Sequence, residues 1–205
     1  MTPPQRIYLA SRSPRRRELL QQIGVPFDTL LFRSGPRVDD EVDETALPGE
    51  VADAYVDRVA RAKASCGLRL VQFRRLRANL VLSADTTLEF DGQVIGKPAD
   101  VEDASKILRG LSAKTHRVLT AVAVAAPDGR IEAMTSVSEV RFKTLSDEEI
   151  RRYVATGEPL DKAGAYGIQG HAGRFVEHLS GSYTGVMGLP LFETAELLAR
   201  FGFKF

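Results

Sequence analysis

At 205 residues the chain is long enough for one sizeable α/β domain, read here as a single domain over 1–205, whose core needs no disulfide or metal staple. Its 28 basic and 27 acidic residues nearly cancel to +1, which excludes a chain-wide field for nucleic acid or membrane, so any anion site has to be local. The single cysteine, Cys66, excludes an intramolecular disulfide. The three histidines, His116, His171 and His178, fall in no zinc spacing. No apolar run approaches the ~20 residues of a membrane helix, and the expected location is a reducing cytoplasm.

In chain order, segment 6–10 predicts a first strand that breaks into Ser11, Arg12, Ser13, Pro14, Arg15, Arg16 and Arg17. Ser13 before Pro14 is a helix start: a hydroxyl to cap the first N–H groups, then a proline whose missing N–H costs nothing at the first helical position. Leu19, Leu20 and Ile23 supply the apolar side and Gly24 ends it. Arginines at this end oppose the helix dipole, whereas exposed N–H groups and guanidinium forks suit phosphate oxygens, so their placement reads as an anion site in preference to a solvated basic turn. Segment 25–32 predicts a second strand. The acidic run from Val38 to Glu44 is either a solvated loop or a source of an oxygen ligand for Mg²⁺ opposite the arginines. A helix is predicted over 48–66, with Val51, Tyr55, Val59 and Ala62 on one face, Lys63 late in it and its end near Gly67. Run 69–77, with four arginines and no acid, reads as a solvated helix or loop.

Leu80, Val81 and Leu82 suit a buried strand. The expectation is that it ends at Ser83, Ala84, Asp85, Thr86 and Thr87, with a carboxylate and hydroxyls at the strand terminus, where α/β sheets place their chemistry. Asp91 and Gly92 predict a two-residue hairpin that returns Val94, Ile95 and then Lys97 toward Asp85. A short helix over 103–111, a β-prone run over 118–125 and a partner strand over 131–143 follow, the last carried by Val137, Val140 and Phe142. Ser146 to Glu149 is a capping box that opens a helix through Val154, ended by Gly157. Segment 161–170 is dense in glycine and small residues, which suits either a backbone approaching a ligand or a tightly packed turn. A strand over 175–179 and a helix from Pro190 through Phe201 close the chain. His116 and His171 read as structural.

Several segments together resemble the Maf family of nucleoside triphosphate pyrophosphatases. They are Leu9-Ala10-Ser11 with Ser13-Pro14-Arg15-Arg16, Arg61-Ala62-Lys63-Ala64, Ala84-Asp85-Thr86, Gly96-Lys97-Pro98, Leu111-Ser112 with Thr115-His116, the run Asp161 to Gly170, and Gly188-Leu189-Pro190. They stand in the family's order along nearly the whole chain. The resemblance implies an α/β fold: a long, twisted mixed sheet flanked by helices, with two lobes and a central cleft. It implies hydrolysis between the α- and β-phosphates, giving a monophosphate and pyrophosphate with a divalent cation (Mg²⁺, Mn²⁺ or Co²⁺).

Residue by residue, Asp85 matches the catalytic carboxylate, as general base or metal ligand. Ser11, Arg15, Arg16, Lys63 and Lys97 match phosphate-binding positions, and the two lysines join Asp85 in the catalytic set. Asp40 or Glu41 matches an acidic position that completes the metal site. Arg15, Thr86 and Gln169 are similar to the branch acting on dTTP and UTP. The Gln169 amide can both donate and accept, as a pyrimidine edge requires. Arg12 stands where a small residue is frequent and adds positive charge beside the phosphate site. A homodimer is a further implication. The rival reading is a non-catalytic nucleotide- or nucleic-acid-binding regulator of cell division; its support is the arginine run 69–77, and steep salt dependence would be its signature.

Overall fold

Three long strands run through the whole molecule and carry both of its lobes. The structure, a computed structural model, describes residues 5–32 and 42–205. Its elements in chain order are β1 (Ile7–Leu9), α1 (Pro14–Gln22), β2 (Phe27–Thr29), α2 (Ala52–Phe73), β3 (Val81–Phe90), β4 (Gln93–Ile95), α3 (Val101–Leu111), β5 (Thr115–Ala125), β6 (Ile131–Phe142), α4 (Asp147–Val154), β7 (Val176–Ser180), α5 (Tyr183–Met187) and α6 (Leu191–Arg200). Among the described residues the strands form one mixed sheet in the order β2-β1-β3-β5-β6-β7, with β4 added to β3. β1 lies parallel to β2 and β3, and all other pairs are antiparallel.

Alternation along β3 distributes the core. Val81 packs under α2 with Val56, Ala60 and Ala64, whereas Leu82 and Ala84 face the opposite side with Leu19, Leu20, Leu197 and Leu198 of α1 and α6. These two layers make the first lobe. Farther along the same strand, Leu88 enters a separate core with Leu108 and Leu111 of α3, Ile150 and Tyr153 of α4, and Phe142 and Phe175, which makes the second lobe.

β3 is also where the sheet is incomplete. β1 pairs with it at Val81 and Leu82, and the last bond on that side runs from the Ala10 N–H to the Leu82 carbonyl, 2.8 Å. β4 pairs with the same edge only from Leu88 onward. Between them, residues 83–87 have no strand beside them on this edge among the described residues, although β5 pairs continuously along the other. The predicted strand end at Ser83 is therefore corrected: Asp85 and Thr86 sit in the middle of a ten-residue strand, and the opening is lateral.

Other expectations also change. α2 begins at Ala52 rather than near Pro48 and runs on through Phe73. Val51 is exposed, and Tyr55 packs half-buried at the margin of the stripe formed by Val56, Val59, Ala60 and Ala64. Gly67 does not stop the helix. A Cβ there would stand 2.8 Å from Val81 Cγ1 and 3.2 Å from Ala10 Cβ, so the missing side chain lets α2 lie directly on the sheet. In β6, Val137 is 40% exposed while Ser136, Ser138, Val140 and Phe142 point inward, a small-residue inner face that apolarity alone did not reveal. The remaining elements form close to where they are expected, including the Ser13 and Ser146 caps and the Asp91-Gly92 turn, whose two residues both have positive φ.

Gly67→Val should push α2 off Val81 and Ala10 and lower unfolding stability by about 3 kcal/mol, the cost of overpacking a tight contact. Urea unfolding of the wild type and the variant measures it; an unchanged midpoint would refute the account of this contact.

Candidate active site

The gap in the β3 edge opens into a cavity of about 830 Å³. Ser11, Arg15, Arg16, Lys63, Asp85, Thr86, Lys97 and Gln169 all line it. Sequence positions far apart are thus brought together as expected. Asp40 and Glu41, the two proposed metal ligands in the acidic run, lie outside the described residues.

Because neighbouring residues of a strand point to opposite faces, Asp85 and Thr86 serve different halves of the cleft. Asp85 faces α2. Lys63 Nζ, late in that helix, donates to Asp85 Oδ1 at 2.7 Å and also lies 2.9 Å from Glu44 Oε1. Glu44 is therefore the described member of the acidic run that reaches the site, a residue that the sequence reading covered only as part of that run. Asp85 is only 6% exposed, and its Oδ2 has no partner among the described residues, so one carboxylate oxygen is fixed while the other remains available. Tyr55 closes this side: its hydroxyl donates to the Glu44 carbonyl at 2.9 Å, and burial, then the Asp85 and Glu44 carboxylates, push its pKa up to about 12.

On the other face, Thr86 meets Arg16. The Arg16 guanidinium donates to the Gly188 carbonyl (2.8 Å), to Ser11 Oγ (3.2 Å) and to Thr86 Oγ1 (3.3 Å). Thr120 Oγ1 backs this arrangement, 3.0 Å from Thr86 Oγ1 and 2.7 Å from the Gly185 carbonyl. The three acceptors of Arg16 among the described residues are neutral. Burial pulls its pKa down, with Asp85 acting in the opposite direction from a distance. A half-buried guanidinium that no described carboxylate contacts is better satisfied once an anion meets it. Gly188, at φ +115°, holds its carbonyl toward Arg16 in a conformation that side chains rarely adopt.

Arg12, Arg15, Lys97 and Lys162 extend the positive lining, so among the described residues six cations face Glu44, Asp85 and Asp161 in a chain of nearly zero net charge. Arg12 also donates to the Phe32 carbonyl at 2.6 Å, so the residue that departs from the family's usual small one tethers the wall and contributes charge. Arg15 approaches Asp161 at 4.0 Å across the cleft. Lys97 is exposed and forms no ion pair with a described residue. The run 69–77 does not line the cavity; Arg69 donates to Ser65 Oγ and Arg74 to the Leu31 carbonyl.

Lys162 and Tyr166 are functional candidates that the sequence reading missed, although both stand inside the glycine-rich run it singled out. Tyr166 lines the cleft, and its hydroxyl is 2.8 Å from His116 Nε2. His116 Nδ1 is buried without a partner. A bare lone pair is easier to bury than a bare N–H, so the proton is assigned to Nε2, which donates to the Tyr166 oxygen. Burial lowers the His116 pKa to about 4 and raises that of Tyr166, so both are neutral at pH 7.

The sequence profile described as Maf-like protein matches residues 6–201. The chain belongs to the Maf family. It is 65% identical over 199 residues to the dTTP/UTP pyrophosphatase of Dechloromonas aromatica (strain RCB), covering 97% of this chain and 98% of that protein. It is 64% identical over 200 residues to the dTTP/UTP pyrophosphatase of Aromatoleum aromaticum (strain DSM 19018 / LMG 30748 / EbN1), covering 97% and 96%. Among solved structures, a HAM1 protein from Coxiella burnetii superposes with a TM-score of 0.50 over 96% of this chain and 98% of that one at 14% identity, a likeness of fold alone. The expected α/β architecture, a mixed sheet flanked by helices, is thus that of this Maf protein. No helix among the described residues is long and apolar enough to cross a membrane.

The buried His116 supplies a pH test. Its pKa of about 4 in the fold lies below the ordinary 6.5, so between these values the unfolded chain binds a proton that the native state does not. Stability should therefore fall as pH drops through this window. Between pH 7 and 5 the wild type should lose about 2 kcal/mol more than His116→Asn, read from urea midpoints. Equal losses would show that the imidazole is not held neutral.

Proposed function

We propose that this Maf protein hydrolyses nucleoside triphosphates, preferring dTTP and UTP, to the monophosphate and pyrophosphate. The observation that carries the reading is the half-buried Arg16, met among the described residues only by neutral acceptors and facing a cleft whose opposite wall holds Asp85 on Lys63. Such a cleft accepts a polyanion and presents a positioned carboxylate to it. The relatives' names and the match of Arg15, Thr86 and Gln169 to the dTTP/UTP branch support the choice of pyrimidine.

In the reaction the oxygen of a water molecule bonds to the α-phosphorus, the bond from that phosphorus to the α–β bridging oxygen breaks, and pyrophosphate leaves with the bonding pair. Asp85, held at Oδ1 by Lys63, takes the water proton at Oδ2. Arg15, Arg16 and Lys97 offset the charge that grows on the departing pyrophosphate. Ser11, fixed by the Ser13 N–H and Arg16, holds the turn into α1.

The oxygen donors suit a hard divalent cation. Among the described residues no group of three His, Cys, Asp or Glu could hold one. Asp85 and Glu44, with phosphate oxygens of the substrate, make the kind of partly protein-supplied set that Mg²⁺ accepts, and Asp40 or Glu41 remain candidates to complete it. Bound there, the cation would withdraw charge from the phosphates. We extend the reading to a cytoplasmic enzyme acting as a homodimer, for which sedimentation of the purified protein is the direct measurement.

Incubation with Mg²⁺ and dTTP, UTP, CTP, GTP, ATP or 7-methyl-GTP, with products separated by ion exchange, tests the assignment. Monophosphate and pyrophosphate from dTTP and UTP are expected, and activity should vanish in EDTA and return with Mg²⁺, Mn²⁺ or Co²⁺. Asp85→Asn should lower kcat by about 10³-fold while leaving the melting temperature nearly unchanged. A variant that keeps the wild-type rate would end the role given to Asp85.

A further inference from the structure

Gln169 and Lys162 reach the cleft from a loop without regular strands or long helices, so something must hold that loop still. Glu158 stands at its start. Its Oε2 accepts the backbone N–H of His171, 13 residues later, at 3.1 Å, and the His171 ring Nδ1 lies 2.9 Å from the same oxygen. Its Oε1 accepts the hydroxyl of Tyr153 at 3.0 Å. That hydroxyl in turn accepts the backbone N–H of Gly167 at 3.4 Å. Both sides of Gln169 are thus tied to one pair, Tyr153 and Glu158, anchored in the core of the second lobe through Tyr153. The loop closes on itself as compact Ω-loops do.

The two glycines beside Gln169 let these side chains lie close to the loop backbone. A Cβ at Gly170 would fall 2.2 Å from Glu158 Oε1, and a Cβ at Gly167 would fall 2.9 Å from the Lys162 side chain. Lys162 Nζ donates to the Glu158 backbone carbonyl at 2.7 Å and to Asp161 at 2.6 Å, bonds that do not use the Glu158 carboxylate. Loss of the carboxylate's own bonds frees His171 and the Tyr153 hydroxyl that holds Gly167, while Asp85, Lys63, Arg16 and Lys162 keep every described partner.

From this we infer that Glu158, with Tyr153, is a positioning residue for nucleobase discrimination: it closes the loop that carries Gln169 and leaves the phosphate chemistry untouched. The inference rests on the pyrophosphatase reading above. It separates the site into a phosphate half built on β3, α1 and α2, and a base half built on a clamped loop.

Steady-state kinetics of full-length wild type, Glu158→Gln and Tyr153→Phe with dTTP, UTP, CTP and ATP test it. Glu158→Gln leaves one acceptor oxygen where two are used, so it can no longer accept from both Tyr153 and the His171 N–H, with little change in volume; Tyr153→Phe keeps the carboxylate, removes the acceptor of the Gly167 N–H and carries the test if the first variant does not fold. In each variant the kcat/KM preference for dTTP over CTP should fall about tenfold through KM, with kcat for dTTP within about twofold of wild type. Product inhibition by inorganic pyrophosphate, which needs no base, should be unchanged. Equal losses for all four nucleotides, or an unchanged preference beside a discriminating wild type, would overturn the clamp alone. A wild type that cleaves none of the four would overturn the underlying reading and the clamp with it.

Discussion

The edge of β3 between its two partners governs this structure. A strand can be shared by two lobes only if each lobe finds a neighbour for its own portion, and β1 and β4 do so at opposite ends of the same edge. The five residues between them keep a continuous ladder to β5 on the other side, which holds them straight and rigid without covering them. Backbone order and solvent access, normally in competition, coexist at Asp85 for this reason. Helices approach the uncovered segment from both faces: α2 with Lys63 on one, the start of α1 with Arg16 on the other.

Electrostatics follows from that placement. Lys63 is matched by two carboxylates, whereas Arg16 is matched by none among the described residues, although both are partly withdrawn from water. The first arrangement is self-sufficient and orients the Asp85 carboxylate; the second leaves Arg16 able to meet an anion. A chain with nearly balanced total charge thereby concentrates positive potential in one cleft, which raises anion affinity without making the whole surface adhesive.

Much of this was legible in the sequence because it depends on local chemistry. Ser13 before Pro14, Ser146 with Glu149, and Asp91-Gly92 state their own backbone geometry, and the structure has a cap, a capping box and a tight turn at these places. The cleft residues were legible through family resemblance. What could not be read were features set by distant packing. Gly67 has the composition of a helix stop, yet its role is defined by Val81 and Ala10. Ser83 to Thr87 are polar enough to suggest a strand end, but β5 keeps them extended and Ser83 Oγ donates to the Ala60 carbonyl beneath. Val137 is apolar and points outward, because the inner face of β6 there accommodates Ser136 and Ser138 beside the close turn at Gly181 and Ser182. Glu158 carries no motif signal of its own, since a carboxylate that closes a loop differs from a surface one only in where residue 171 comes to lie.

The vacant stretch of the β3 edge also has a mechanical meaning. The lobes join through β3, β5 and β6, so on the β1 side of β3 nothing among the described strands stitches one lobe to the other. A nucleotide lying there would touch Arg16 of the first lobe and the Gln169 loop of the second, taking the place of a missing strand. Its binding energy would then also be cohesion between the lobes, and the fold would be most firmly knit while substrate is held.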